Sequence, residues 1–226
     1  MPEKLLFFLY RQPALTRAEF CRRYLEEHAP LSLKHIAGLR RYVVNIVNDA
    51  QEKTPNACDA IAELGFDTIE DYMVPHRRYD APESATPLRR TFGELVHHAD
   101  GYRVAATVQR DYQRTWPDGE PSPGVKTIVP LRRKDGLTHE QFVDHWLHVH
   151  APLALTHVLG IGRYVTNVIV EPLTPDAPAA DGIVEVHYTE PRRFDSPEGE
   201  QVMLDDVASF LSPPSRNTTT EYILKS

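Results

Sequence analysis

The chain has little cysteine and no long apolar run. Only Cys21 and Cys58 occur among its 226 residues, which is too few for a disulfide framework and favours a reducing, cytoplasmic setting. No apolar stretch approaches the roughly 18 residues that span a bilayer. The first residues also lack the small-residue cleavage site of a signal peptide. We therefore expect a soluble protein without a membrane partner.

The sequence also lacks an excess of basic residues and the common nucleotide-binding motifs. It contains 25 Lys and Arg against 32 Asp and Glu, a net charge of −7, and the basic residues are scattered. This balance argues against a nucleic-acid partner. The motifs G-x-S-x-G, G-x-G-x-x-G and C-x-x-C and a phosphate-binding glycine loop are all absent, which disfavours serine hydrolysis and nucleotide-dependent chemistry.

An internal repeat at an offset of 122 residues organises the chain. HAPLSLKHIAGLRRYVVN at 28–45 returns as HAPLALTHVLGIGRYVTN at 150–167, with 11 of 18 positions identical. We interpret the repeat as a duplicated module. The predicted organisation is a module over 1–112, a linker over 113–124 and a second module over 125–226.

Each copy predicts the same order of elements: strand, helix, two strands, helix and strand. Thr16 and Thr138 are N-cap candidates for the first helix. Pro30 and Pro152 are expected to break that helix or start a new turn, and Gly38 and Gly160 to stop it. The order is that of a ferredoxin-like βαββαβ module. We therefore predict an α+β fold in which two such modules pack their sheets into a barrel within one chain.

A histidine ends the aromatic face of the first predicted helix in both copies. His28 follows Phe20 and Tyr24 at four-residue spacing, and His150 follows Phe142 and Trp146 in the same way. A helix C-terminus favours the imidazolium while burial disfavours it, so such a histidine can titrate near neutrality and transfer protons. The alternative is a buried structural histidine.

Further candidates lie on the following segments of each copy. Tyr42 and Tyr164 are expected to orient a substrate oxygen or to fill the core, while the opposite strand face carries Asn45 and Asn167. A second acid–base group would be His35, His157 or His187. On the third strand, burial in a closed barrel would raise the pKa of Glu63 or Glu185. The alternative for Glu185 and His187 is a solvent-exposed pair.

The stretch HWLHVH at 145–150 contains three histidines that could bind a metal ion. His145 and His148 are neighbours on a helix, but His150 points away from them, and no cysteine or carboxylate cluster completes a ligand set. We predict no bound metal and no other cofactor.

Three motifs make the chain resemble the EthD-like family of the dimeric α+β barrel superfamily. They are F-x3-W/Y-x3-HAPL, G-x2-RY-x2-N and D-x-I-x-E, and each occurs in both halves. The resemblance therefore indicates a tandem EthD-like protein. It implies a cavity between the helices and the concave sheet of each half, with His or Tyr as acid–base groups and usually no metal. The second half follows the family pattern more fully, which puts activity of the first half in question.

Four functions remain open from the sequence. The leading hypothesis is a cofactor-independent acid–base enzyme of the dehydratase, lyase, isomerase or cyclase type, acting on a small, largely apolar oxygenated molecule. His150 would be its main proton carrier. The substrate would be positioned by Trp146, Asn167, Glu185, Tyr42 and Asn45. The alternatives are a cofactor-free monooxygenase, a non-catalytic small-molecule-binding protein and, because the chain contains 11 histidines, a haem protein. Association of the two-module chain into a homo-oligomer is compatible with each.

Overall fold

The computed structural model describes residues 3–48, 57–213 and 217–226, without the side chain of His76. The first half contains β1 (Glu3–Arg11), α1 (Arg17–Arg23), a π-helical turn (Tyr24–His28), α2 (Ala29–His35), β2 (Leu39–Val47), β3 (Ala60–Phe66), α3 (Glu70–Met73), α4 (Pro75–Arg78), a 3-10 turn (Pro82–Ser84), α5 (Ala85–Leu95) and β4 (Val96–Arg110). The second half contains β5 (Val125–Leu131), α6 (His139–His145), a π-helical turn (Trp146–His150), α7 (Ala151–His157), β6 (Val158–Pro172), β7 (Gly182–Phe194), α8 (Pro197–Phe210) and β8 (Asn217–Lys225). No helix in these ranges has both the length and the apolar character needed to cross a bilayer.

The eight strands close into one antiparallel barrel, in the order β1-β3-β2-β8-β5-β7-β6-β4. Each half supplies four neighbouring strands, and the halves meet where β2 pairs with β8 and where β4 pairs with β6. Neither half closes the barrel alone. The predicted α+β barrel within one chain is therefore present.

Successive side chains of each strand point alternately to the outer face of the barrel, which the helices cover, and to its interior. On β2, Tyr42 and Val44 pack against the helices outside the barrel, whereas Asn45 lies inside with Glu63. The same alternation places Tyr164 on the helix side of β6 and Asn167 on the inner side. This division follows from the two-residue period of a strand, and it decides which candidate residues can share a site.

The first helix of each half begins as predicted and then continues through its proline. The Thr16 hydroxyl accepts a hydrogen bond from the Glu19 amide at 3.2 Å, and Thr138 forms a capping box with Gln141. Pro30 does not break the helix but, as the other expectation had it, lies in the first turn of a new helical segment, α2. A π-helical turn precedes it, in which the Ala29 amide donates to the Tyr24 carbonyl, and this wider turn relieves the clash between the proline ring and the preceding turn.

The two glycines that were expected to stop the helices both adopt positive φ angles, but only one lies between a helix and a strand. Gly38 (φ +68°) lies between α2 and β2. Gly160 (φ +87°) lies inside β6, where the register with β7 shifts, because α7 already ends at His157. The expectation that Gly160 stops the helix was therefore wrong. Its left-handed backbone conformation allows a bulge in the strand β6.

The halves differ most between the third strand and the second long helix. In the first half, residues 67–84 form α3, α4 and a 3-10 turn between β3 and α5. In the second half only residues 195–196 separate β7 from α8. We call residues 67–84 the insertion. It lies over the outer face of the first-half sheet, where Tyr72 contacts Phe7 and Phe66.

Candidate functional site

A cavity of about 420 Å³ lies between the helices and the sheet of the first half. Most of its wall is apolar or aromatic, from Phe7, Leu9, Ile36, Leu64, Leu88 and Phe92. The polar groups that reach it from the helices and β2 are His28, Ser32, Tyr24 and Tyr42. An apolar cavity with a few convergent polar groups is typical of a small-molecule site.

His28 is held in one orientation by two helices. Its Nδ1 lies 2.9 Å from the Thr91 hydroxyl of α5. The Thr91 hydroxyl in turn donates toward the carbonyls of Pro87 and Leu88, at 3.1 Å each. It therefore accepts from His28, which assigns the imidazole proton to Nδ1. The Nε2 lone pair is left for a group in the cavity.

The hydroxyl of Ser32 lies near this lone pair. Ser32 Oγ is 3.3 Å from His28 Nε2 and also donates to the His28 carbonyl at 3.1 Å. Because its single proton is engaged by the carbonyl in that arrangement, Nε2 keeps its capacity to accept a proton from a ligand.

The imidazole of His28 is neutral at pH 7. Burial lowers the pKa of His28 to about 4, so the expectation that it titrates near neutrality was wrong. The reason is structural: the helix does not end at His28 but continues to His35. No helix C-terminus therefore compensates the desolvation of an imidazolium.

Two phenols lie beside this histidine. Tyr42 donates to the Tyr24 hydroxyl over 3.2 Å, and the Tyr24 ring is centred 5.0 Å from the His28 ring. Burial raises the pKa of Tyr42 to about 12 and that of Tyr24 well above its ordinary value. Both phenols therefore stay protonated. Because the Tyr42 proton is donated to Tyr24, the Tyr24 hydroxyl is the one that can donate to a substrate oxygen.

The insertion and the second half complete the wall. The insertion contributes Tyr72, Arg78 and Tyr79. The second half contributes Thr174, whose hydroxyl accepts a hydrogen bond from the Gly101 amide at 3.0 Å. The cavity thus depends on both halves of the chain.

The corresponding position in the second half carries a larger side chain. Trp146 replaces Tyr24 and is fully buried. Its ring lies directly on Gly182 of β7, where an added Cβ would overlap it. The Phe142 ring is centred 5.5 Å from the Trp146 ring and 5.8 Å from the Phe210 ring. The indole thus occupies the volume that the smaller phenol leaves open in the first half.

His150 is bound to a carboxylate instead of a hydroxyl. Its Nδ1 lies 2.6 Å from Asp206, and His145 Nε2 lies 2.7 Å from the other oxygen of the same carboxylate. Burial raises the pKa of Asp206, but its hydrogen bonds with His150 and His145 more than offset this and hold the pKa below its ordinary value. His150 therefore belongs to a histidine–carboxylate–histidine group beside Phe210.

His35 and His157 lie at the ends of α2 and α7. His35 pairs with Asp80 at 3.3 Å, and His157 pairs with Asp195 at 3.1 Å. The lining of the first-half cavity includes neither histidine. Their equivalent positions suit a helix-end ion pair whenever the imidazole is charged.

The remaining candidates lie inside the barrel. Asn45 donates to Glu63 and Asn167 to Glu185, both over 2.8 Å. His187 Nδ1 lies 3.3 Å from Glu221. These groups are on the opposite sheet face from Tyr164 and His150, so one substrate cannot reach both sets without crossing the sheet.

Buried lysines reverse the expected pKa shift of the barrel glutamates. Burial alone would raise the pKa of Glu63, but Lys126 and Lys4 hold it well below its ordinary value. The pKa of Glu185 is lowered for a similar reason, although the nearby Glu63 opposes the shift. Our expectation of raised values omitted the lysines that begin β1 and β5. The glutamates are ion-pair partners, and Glu185 and His187 are buried rather than solvent-exposed.

The histidines of the HWLHVH stretch have separate partners. His145 contacts Asp206, whereas the exposed His148 pairs with Asp144 at 2.9 Å. Within residues 3–48, 57–213 and 217–226, no group of three or more His, Cys, Asp or Glu side chains is arranged to hold a metal ion.

Sequence reasoning missed several residues of the cavity. Ser32 follows His28 by one helical turn, and that spacing could have revealed it. Thr91 comes from a helix more than 60 residues away, and Tyr72 and Arg78 come from the insertion, which has no counterpart in the repeat. No local pattern places these three beside His28.

The closed barrel with helices on its outer face and a helix–sheet cavity defines a protein of the dimeric α+β barrel class. The chain belongs to the EthD family. The EthD domain model matches residues 12–76 and 134–214, more than half of the chain. Both halves contribute a match, as expected of a tandem EthD-like protein. No curated protein matches the chain in sequence.

Solved structures share the fold at low sequence identity. An anthrone oxidase-like protein is 13% identical with a TM-score of 0.61, covering 100% of this chain and 94% of that one. A candidate monooxygenase from Lactobacillus acidophilus NCFM is 13% identical with a TM-score of 0.54, covering 99% and 97%. Another from Fusobacterium nucleatum subsp. nucleatum ATCC 25586 is 6% identical with a TM-score of 0.58, covering 99% and 93%.

Proposed function

We propose that the first-half cavity binds a small, largely apolar oxygenated molecule of aromatic or polyketide-like type, and that His28 acts on it as a general base without a cofactor. The observation that carries the proposal is the state of His28. Its imidazole is neutral, its Nδ1–H is bound to Thr91, and its Nε2 faces an apolar cavity. A base of this kind needs no deprotonation step at pH 7.

The chemistry that fits these groups starts with a C–H or O–H bond made acidic by a neighbouring carbonyl. The proton passes to Nε2 of His28, and the electron pair stays on the substrate as an enolate or phenolate. The Tyr24 hydroxyl donates to the developing oxyanion, supported by the hydrogen bond from Tyr42. Such a positioned donor acts strongly in a cavity with few competing waters.

The fate of the proton then defines the reaction type. In an isomerisation or cyclisation, His28 returns it to another atom of the substrate. In a dehydration or other elimination, it protonates the departing oxygen. Either route regenerates the neutral imidazole and requires no net oxidation, which is the lyase or isomerase chemistry that we place first.

Cofactor-free oxygenation is the second candidate, because the fold is shared with proteins named as an anthrone oxidase-like protein and as candidate monooxygenases. The substrate carbanion would pass its electrons to O₂. A CH₂ group would then become a carbonyl, with one oxygen atom retained in the product and the other released as water. His28 would act in the same way in the first step.

Anthrone, a tricyclic ketone with an acidic CH₂ group, is a probe that separates these possibilities. Under argon in D₂O, the wild-type protein should accelerate exchange of the CH₂ protons, as followed by ¹H NMR. Oxygen consumption with quinone formation on admitting air would favour the oxygenase. Exchange without oxygen consumption would favour the lyase or isomerase class. Binding without exchange would identify a binding protein and contradict the proposal.

Four further points accompany this proposal. We propose that each half is a ferredoxin-like module, which the strand orders β4-β1-β3-β2 and β8-β5-β7-β6 support. The module boundaries at 112 and 125, the cytoplasmic location and association into a homo-oligomer stay predictions. Sedimentation equilibrium of the purified chain would measure the last of these.

A further inference from the structure

Arg78 is a cation without an anionic partner at the wall of the proposed substrate cavity. Its Nε donates to the Tyr72 carbonyl at 2.5 Å. In the part of the chain that the structure describes, it makes no ion pair, and its two terminal nitrogens donate no hydrogen bond. A guanidinium has five N–H donors in a planar fork, so most of its donor capacity is unused.

The guanidinium is held in place by aromatic stacking. It lies 4.2 Å from the centre of the Tyr72 ring. That ring is itself fixed between Phe7 and Phe66, at centroid distances of 5.8 and 5.6 Å. A cation over an aromatic face gains on the order of 0.5–2 kcal/mol, more when it is desolvated. Arg78 therefore pays little additional ordering entropy when it binds a ligand.

Two other arginines of the first half have carboxylate partners. The neighbouring Arg77 pairs with Asp71 at 2.6 Å, and Arg23 pairs with Glu27 at 3.0 Å. The chain carries 32 acidic residues and a net charge of −7, so carboxylates are abundant. A half-buried guanidinium that has no ion pair among the described residues, in a mostly apolar and aromatic wall, is suited to bind an anion from outside the chain.

We propose that the substrate of the first-half site is an aromatic or polyketide-like carboxylate, whose carboxylate group is bound by Arg78. This inference rests on the proposed function of the cavity. The planar fork of a guanidinium matches a carboxylate through two parallel hydrogen bonds. Arg89, exposed at the same cavity and 6.0 Å from the Tyr79 ring centre, adds a second positive charge. The ring system occupies the apolar interior beside His28.

The test compares two probes of the same shape that differ in charge. 1-Naphthoate and its neutral amide, 1-naphthamide, are titrated into the full-length protein by calorimetry. We expect naphthoate to bind about tenfold more tightly or better, since hydrogen bonds to a charged group are stronger than neutral ones. Raising KCl from 0.05 to 0.5 M should weaken the binding of naphthoate and leave that of naphthamide unchanged.

Variants assign the preference to one residue. Arg78→Met should remove the preference, so that naphthoate binds no more tightly than naphthamide, and Arg78→Lys should retain part of the preference. Arg90→Met is the matched control, because Arg90 is exposed on α5, pairs with Glu94 at 3.9 Å and is not among the residues that line the cavity. Thermal melts of each variant establish folding. If Arg78→Met does not fold, the Lys variant and the salt dependence decide the result.

The outcomes separate the two proposals. Equal affinity of the two probes for the wild type, or a preference that survives Arg78→Met, would overturn the carboxylate inference and leave the cavity proposal standing. Failure of both probes to bind would contradict the cavity proposal and this inference together. A preference lost equally in Arg90→Met would reduce the effect to general surface charge and overturn the role of Arg78.

Discussion

Replacing Lys126 with methionine should destabilise the barrel strongly, because this lysine forms ion pairs with three buried carboxylates. Its Nζ lies 2.5 Å from Glu63, 2.7 Å from Glu221 and 2.8 Å from Glu185, and the side chains are about 1% exposed. In Lys126→Met, Lys4 alone of the two lysines would remain beside Glu63 and Glu185. Removing one partner from a buried ion pair costs about 3–5 kcal/mol, which is a large part of a typical folding free energy.

The dependence on pH should change sign as well. In the wild type, the lowered pKa values of Glu63, Glu185 and Glu221 contribute stability that is present above the unfolded pKa, about 4.5, and is lost as pH falls below it. In Lys126→Met, burial and like-charge repulsion should raise the folded pKa of at least one glutamate. A glutamate with a raised pKa contributes stability that is present at low pH and is lost as pH rises. The variant should therefore become more stable as pH falls from 7 to 5.

Urea unfolding followed by circular dichroism at pH 7 and pH 5 measures both effects. Lys34→Met, at an exposed position of α2, is the control and should change the free energy of unfolding by less than about 0.5 kcal/mol. The double variant Lys126→Met/Glu221→Gln should recover part of the loss. A cost below about 1 kcal/mol for Lys126→Met, with unchanged pH dependence, would refute the buried charge cluster.

Two other predictions follow from packing and burial. Gly182→Ala should cost about 1–3 kcal/mol in chemical denaturation, because the added methyl overlaps Trp146. Gly93 lies in the helix α5, and a methyl group added there would meet no atom within 4 Å, so Gly93→Ala should be neutral or stabilising by up to about 1 kcal/mol. Equal effects of Gly182→Ala and Gly93→Ala on stability would contradict this packing. The pKa of His28 is lowered to about 4, so this residue contributes stability that is present above pH 6.5 and is lost as pH falls toward 4. His28→Gln should therefore reduce the loss of folding free energy at acid pH by roughly 2–3 kcal/mol at pH 4.5. A denaturation series from pH 7 to 4.5 that shows no difference would contradict the burial of a neutral imidazole.

The repeat and the strand periodicity predicted much of the fold. Because 28–45 and 150–167 share one pattern, both halves had to fold alike, and two open sheets cover each other by closing a barrel. The alternation on β2 also separated Tyr42 from Asn45 correctly. These features depend on local periodicity and on duplication, which one sequence displays.

The sequence did not show that the cavity lies in the first half. Trp146 in the family motif suggested a more complete site in the second half, but its bulk against Gly182 fills the space there. In the first half, the smaller Tyr24 and the insertion create a cavity. Such differences of volume depend on how distant segments pack, which motif matching does not measure.

The protonation state of His28 was also misjudged. Its pKa depends on whether the helix ends at that residue, and the proline at position 30 suggested that it does. A π-helical turn carries the helix onward, and an extra residue in one turn leaves no mark in a hydrophobic pattern. The same uncertainty affected His35, whose side chain pairs with Asp80 instead of joining the cavity.

The most direct test of the site is the anaerobic proton exchange of anthrone by two matched variants, His28→Ala and His150→Ala. If His28 is the base, its variant should lose about 10²–10⁴-fold in exchange rate. His150→Ala should remain within about twofold of the wild type, because His150 does not line the first-half cavity and distant sites act independently. Both proteins must show folded spectra. A larger loss in His150→Ala, or full activity in His28→Ala, would contradict the account.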